Sequence, residues 1–164
     1  MSLTKKKINP VVTRGNGMID VSGKDVTRRV ARASARLSMN PKTFQILVER
    51  GSPKGDVWET AKVAGILAAK STPFLIPMCH PLGISKVGIR FDVDKKRHAV
   101  GVTSEVVCLG RTGVEMEALT ACAMAALTVY DMMKWADREM VVSEVKLLYK
   151  SGGKSGTFIR KNRA

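Results

Sequence analysis

The 164-residue sequence predicts an α+β fold in the order βαββαβ, an antiparallel sheet with helices packed on one face. Three observations predict it. Apolar and polar residues alternate with a period of two around Val30, Val87 and Val100. Segments with apolar residues at helical spacing separate these runs. The chain is 45% hydrophobic and 26% charged, the balance of one folded globular domain.

From Val30 to Met39, the residues Ala31, Ala33, Ala35, Leu37 and Met39 alternate with Arg32, Ser34, Arg36 and Ser38, which marks a half-buried strand. Arg28, Arg32 and Arg36 also fit helical spacing. The strand is favoured because it runs into Asn40-Pro41, a cap residue followed by proline at the first helical position, where a helix begins that ends at Gly51. On the strand Arg29 and Arg32 face opposite sides, so at most one points with the core. Asp56 and Glu59 form a capping-box pattern, and Val57, Ala61, Ala64, Ile66 and Leu67 give the next helix an apolar face through Lys70. Ser71-Thr72-Pro73 reads as its stop. Two prolines in Pro77-Met78-Cys79-His80-Pro81 exclude regular helix and central strand and predict a fixed, irregular loop.

Val87, Ile89, Phe91 and Val93, then Val100, Val102 and Val107 across the charged turn Asp94 to Arg97, predict a hairpin. Val114 to Trp135 is the longest helical pattern, with Glu115 and Glu117 in its first turn and Lys134 in its last, as the helix dipole prefers. Met140 to Leu148 is the final strand and leads into a glycine-rich loop, Ser151 to Gly156. This order is the split βαβ, or ferredoxin-like, unit. Residues 1–17 are expected to form a flexible basic segment, 18–158 a single domain and 159–164 a basic tail, with the last eight residues loose.

The chain holds 28 Lys and Arg against 14 Asp and Glu, a net charge of +14, which favours polyanionic partners. Both ends are basic and the centre is balanced. No uncharged run is long and apolar enough to span a membrane, and the polar start lacks a signal-peptide core, so a cytoplasmic protein is expected. Cys79, Cys108 and Cys122 fit neither an even disulfide set nor metal-ligand spacing and read as reduced thiols.

Several residues stand out for chemistry. Gly153-Lys154-Ser155 imitates the end of a P-loop, but Leu148 occupies the position of the opening glycine and too little chain follows for the required helix. The loop remains a candidate anion nest with Lys150 and Lys154. His80, clamped between Cys79 and Pro81, is placed to donate, accept or bind phosphate, whereas His98 in the charged turn looks merely solvated. Lys54 precedes a helix N-terminus, where free amides already attract anions. Asp131 lies in the last turn of the long helix, where the dipole disfavours a carboxylate, and thirteen uncharged residues precede it. With Lys134 three residues on it could form an acid/base pair. Glu117 and Asp131 are about 21 Å apart along that helix, so one small substrate reaches both only across a subunit boundary.

Taken together, Met18-Ile19-Asp20-Val21-Ser22, Lys54-Gly55-Asp56-Val57, Leu75 to Leu82, Thr112 to Thr120, Tyr130 to Lys134 and Lys150 to Gly156 resemble the MoaC-type cyclic pyranopterin monophosphate synthase family of molybdenum cofactor biosynthesis. The likeness covers residues 18–158. It implies a cytosolic lyase that converts (8S)-3′,8-cyclo-7,8-dihydroguanosine 5′-triphosphate, the product of a radical S-adenosylmethionine GTP cyclase, into cyclic pyranopterin monophosphate and pyrophosphate. It also implies a homo-oligomer, a hexamer built as a trimer of dimers with sites at dimer interfaces, and no membrane or nucleic-acid partner. By motif match Asp131, Lys134 and Lys54 are catalytic, and Met78, Cys79, His80, Met116 and Glu117 bind substrate. Arg29, Lys150 and Lys154 hold phosphates. No metal site or cofactor is implied, Mg²⁺ with the pyrophosphate group being the one ion it admits.

The alternative is an RNA-binding module of RRM type, which is also βαββαβ and basic. It needs aromatic residues on its central strands, and only Phe91 lies on the predicted hairpin. A purely structural oligomer would leave the Pro77 to Pro81 loop and Asp131 without a purpose.

Overall fold

A computed structural model describes residues 17–161. The elements are β1 (Thr27–Ser38), α1 (Pro41–Glu49), α2 (Val57–Leu75), β2 (Ile84–Asp94), β3 (Ala99–Gly110), α3 (Glu115–Met133), β4 (Val141–Ser151) and β5 (Phe158–Ile159). They form one sheet in the order β2-β3-β1-β4-β5, with every neighbouring pair antiparallel. Its first four strands are the ferredoxin-like arrangement that the sequence predicts, and β5 extends the edge.

Register explains the two faces. Ala33 of β1 pairs with Ser104 of β3, and the Ser104 hydroxyl donates to the Ala118 carbonyl of α3 at 2.6 Å, so this face lies under the helices. Ala31, Ala35 and Leu37 share it with Val100, Val102 and Val106, all buried against the Ala-rich side of α3. Residues one step along point the other way. There Arg32 pairs with Glu105, which Lys86 also reaches, and the Arg32 guanidinium stacks over the Tyr149 ring. Phe91 turns to the helix side and packs on Trp58, so it offers no open stacking platform of the kind an RNA module needs.

Local signals set the helix starts. The Asn40 side chain accepts from the Thr43 amide with Pro41 next in line, and the Asp56 side chain accepts from the Glu59 amide. Gly65 lets α2 lie close to α3, since a methyl there would come within 2.9 Å of the Ala121 carbonyl oxygen.

Three expectations are corrected. Helix α2 does not stop at Ser71-Thr72-Pro73 but carries Pro73 in its last turn, where the missing amide forfeits one hydrogen bond and the Ile76 amide still reaches the Thr72 carbonyl at 2.8 Å. His98 is half-buried rather than merely solvated, edge-on to Phe44, with φ of 47° in the turn. Within the loose end expected after Gly156, Phe158 and Ile159 pair with β4. The basic N-terminal segment, except Gly17, and residues 162–164 of the tail lie outside the described residues.

Candidate active site

Arg29 is the buried member of the Arg29 and Arg32 pair, on the helix side of β1. Its Nε donates to the Gly110 carbonyl and a terminal nitrogen to that of Arg111, both at 3.1 Å. The guanidinium lies where a side chain at Gly153 would be, and the Arg29 Cδ lies 3.1 Å from where one at Gly152 would begin. A methyl at Gly153 would land on the guanidinium, and one at Gly152 would also meet the Arg28 carbonyl. Both glycines have positive φ, 94° and 77°, which L side chains rarely adopt. The glycine-rich loop is therefore shaped around Arg29. It closes as a turn, Gly156 amide to Gly153 carbonyl at 3.1 Å, and continues into β5 instead of the helix a P-loop requires.

This loop faces the segment between β3 and α3 across a cavity of about 270 Å³. Arg29, Lys150 and Lys154 line it, and so do Lys24, Arg111 and Glu115. The Arg111 Nε donates to the Lys24 carbonyl at 3.0 Å, and Lys150 Nζ donates to the Ser155 hydroxyl at 2.8 Å. Five cations and one carboxylate beside glycine backbone give this cavity a net positive lining, chemically suited to an anion.

A second cavity, of about 200 Å³, shares Thr112, Gly113 and Glu115 with the first. Met78, Cys79, His80, Met116 and Glu117 line it, the five positions that the family resemblance implies bind substrate. The His80 ring is tied by Nε2 to the Ile19 carbonyl at 2.9 Å, which holds Ile19 against the Pro77 to Pro81 loop. Glu117 is 3% exposed, and burial first, then the nearby Glu115 charge, pushes its carboxyl above the ordinary range. Burial and, after it, Glu117 raise the Cys79 thiol.

Lys54, Asp131 and Lys134 form a separate, exposed cluster that lines neither cavity. The two ammonium groups lie 2.8 and 2.7 Å from opposite carboxylate oxygens of Asp131. Hydrogen bonds from Lys134 and then Lys54 lower the Asp131 carboxyl from 3.8 to about 2. Cluster and cavities sit towards opposite ends of α3, about 21 Å apart between Glu117 and Asp131.

Lys24, Arg111 and Glu115 were not singled out from the sequence as ligands. The signals for them in the sequence are the Gly23-Lys24 turn and the place of Arg111 next to the Thr112 to Thr120 motif. Among the described residues, no group of three or more His, Cys, Asp or Glu side chains is placed to hold a metal ion, and no helix is long and apolar enough to cross a membrane.

Residues 18–153 match the family model described as MoaC family. A protein of Pelotomaculum thermopropionicum named cyclic pyranopterin monophosphate synthase is 51% identical over 144 residues, 88% of this chain and 85% of the relative. Proteins of the same name from Rhodospirillum rubrum and Streptomyces coelicolor are each 52% identical, covering 89% and 87% of this chain and 89% and 83% of the relatives.

Proposed function

We propose, from the fact that this chain belongs to the MoaC family, that it is an enzyme of molybdenum cofactor biosynthesis with the activity for which these relatives are named. It converts (8S)-3′,8-cyclo-7,8-dihydroguanosine 5′-triphosphate to cyclic pyranopterin monophosphate and releases pyrophosphate. The observation that supports this best is the pair of adjoining cavities, one lined mainly by cations and one by sulfur, imidazole and carboxyl groups. A nucleotide with a phosphate chain at one end and a fused ring at the other has the same division.

In this reading Arg29, Lys150 and Lys154, joined by Lys24 and Arg111, hold the phosphates and stabilise charge that gathers on the departing pyrophosphate. Mg²⁺ enters only as a companion of those phosphates. Met78, Cys79, His80, Met116 and Glu117 surround the ring. Glu117, with its raised pKa, can hold a proton closer to neutrality than an ordinary carboxyl.

Opening the purine and building the pterin require several proton transfers, which fall to Lys54 and Lys134. Asp131, lowered to about 2, stays ionised at neutral pH and acts by holding both ammonium groups in place. Because α3 separates this cluster from its own cavities, a complete site combines the cavities of one protomer with the cluster of another. In this reading the chain works as a homo-oligomer, and the family resemblance makes that a hexamer built as a trimer of dimers. The reading places the enzyme in the cytoplasm, supplied by a radical S-adenosylmethionine GTP cyclase.

The test is incubation of the purified chain with the cyclised nucleotide. One pyrophosphate per turnover and a product that oxidises to a fluorescent pterin are expected. Unchanged nucleotide alongside tight, salt-sensitive RNA binding would replace this reading with the RNA-binding module.

A further inference from the structure

Glu115 is the one acid among the five cations lining the anion cavity. Its Oε1 lies 3.4 Å from Lys150 Nζ, and the two side chains are only 28% and 25% exposed. The pair stands where the two cavities meet, since Glu115 lines both. A niche holds the acid there, because a methyl at Gly113 would collide with the Glu115 carboxylate. Its place in the first turn of α3 also suits a negative charge, beside an N-cap, Val114, that offers no side-chain hydrogen bond. An anion reaching Lys150 therefore meets an ammonium already matched by a carboxylate.

We propose that Glu115 is a specificity and release residue, a resident competitor for Lys150 that an entering polyphosphate displaces and that returns as pyrophosphate leaves. This rests on the phosphate-binding reading of the cavity. A single phosphate at Lys150 replaces one anion with another and gains little. A longer chain also engages Arg29, Lys24 or Lys154, which have no carboxylate partner within ion-pair distance among the described residues. The same competition keeps pyrophosphate, once detached, from remaining in place.

The test is titration calorimetry of inorganic pyrophosphate and orthophosphate against the full chain. Glu115→Gln keeps the shape and removes the charge, and its pyrophosphate Kd is expected to fall about tenfold, with a narrower preference over orthophosphate. In a Lys150→Ala background the same change should shift Kd by less than about twofold, because the competition acts through Lys150. Glu115→Asp, one methylene shorter, should fall between the two and gives the same reading if the amide variant does not fold. An unchanged Kd in Glu115→Gln, or an equal gain without Lys150, overturns the proposal. Wild-type turnover of the cyclised nucleotide with an unchanged Kd in Glu115→Gln overturns it alone. Tightened pyrophosphate binding without wild-type turnover overturns the functional reading alone.

Discussion

Lys54 Nζ donates to Asp131 Oδ2 at 2.8 Å and to the Asp131 backbone carbonyl at 3.0 Å, so one ammonium both pairs with the late-helix carboxylate and caps the end of α3. The Ser52 hydroxyl donates to the next carbonyl, that of Met132, at 2.6 Å. The loop before α2 thus satisfies carbonyls that the last turn of a helix leaves free. It also offsets the repulsion between the helix dipole and Asp131, the feature that made this carboxylate conspicuous in the sequence.

Lys54→Ala and Lys134→Ala are each expected to lower turnover at least a hundredfold, the low end of what a positioned acid or base contributes, and Asp131→Asn to do the same by releasing both lysines. Exposed ion pairs add little to stability, so far-UV circular dichroism and oligomeric state should stay as in the unaltered chain. Pterin formation is the readout. A variant that turns over at the unaltered rate removes its residue from the mechanism.

The Asp131 carboxyl should titrate near 2 in the folded chain, followed by carbon-detected NMR. Its folded pKa is depressed, so whatever stability the group contributes is fully present above its unfolded value of 3.8 and is lost as pH falls through about 2. Replacing both Lys54 and Lys134 with alanine should return the midpoint towards 3.8. A midpoint already near 3.8 in the unaltered chain means that the two ion pairs do not persist in solution.

Gly65→Ala should destabilise the fold, although alanine is the better helix former by about 1 kcal/mol. The added methyl meets the Ala121 carbonyl oxygen at 2.9 Å and the Ile89 side chain at 3.1 Å, and overpacking of this kind costs about 1–3 kcal/mol. Thermal melting should show a Tm several degrees lower. A higher Tm would mean that α2 and α3 separate freely enough to absorb a methyl.

Iodoacetamide at pH 8 should modify Cys79 slowly and leave Cys108 and Cys122 intact while the chain is folded. Burial raises all three thiols, Cys122 to about 11, and only Cys79 has appreciable access to solvent. Glu117→Gln removes the charge that opposes a Cys79 thiolate and should speed its alkylation a few-fold, burial remaining the larger obstacle. Mass spectrometry of the labelled peptides decides the matter. Labelling of Cys122 as fast as Cys79 would contradict the packing of α3.

Asn40-Pro41, the Asp56 and Glu59 cap, the alternation along β1 and the apolar run of α3 each depend on a backbone period or a cap a few residues long. The sequence by itself therefore determined the order of elements as far as β4, the α+β class and the irregular Pro77 to Pro81 loop. Its motifs also brought together Met78, Cys79, His80, Met116 and Glu117, which all line one cavity. Only the tertiary structure decided that Lys54 meets Asp131, 77 residues away, and that Lys24 and Arg111 join Arg29 around one cavity. It alone carried α2 through Pro73 and set Glu115 against Lys150. Those outcomes depend on antiparallel register and on which helix end lies over which loop. They are long-range choices, settled by burying a whole sheet face at once, and no local spacing encodes them.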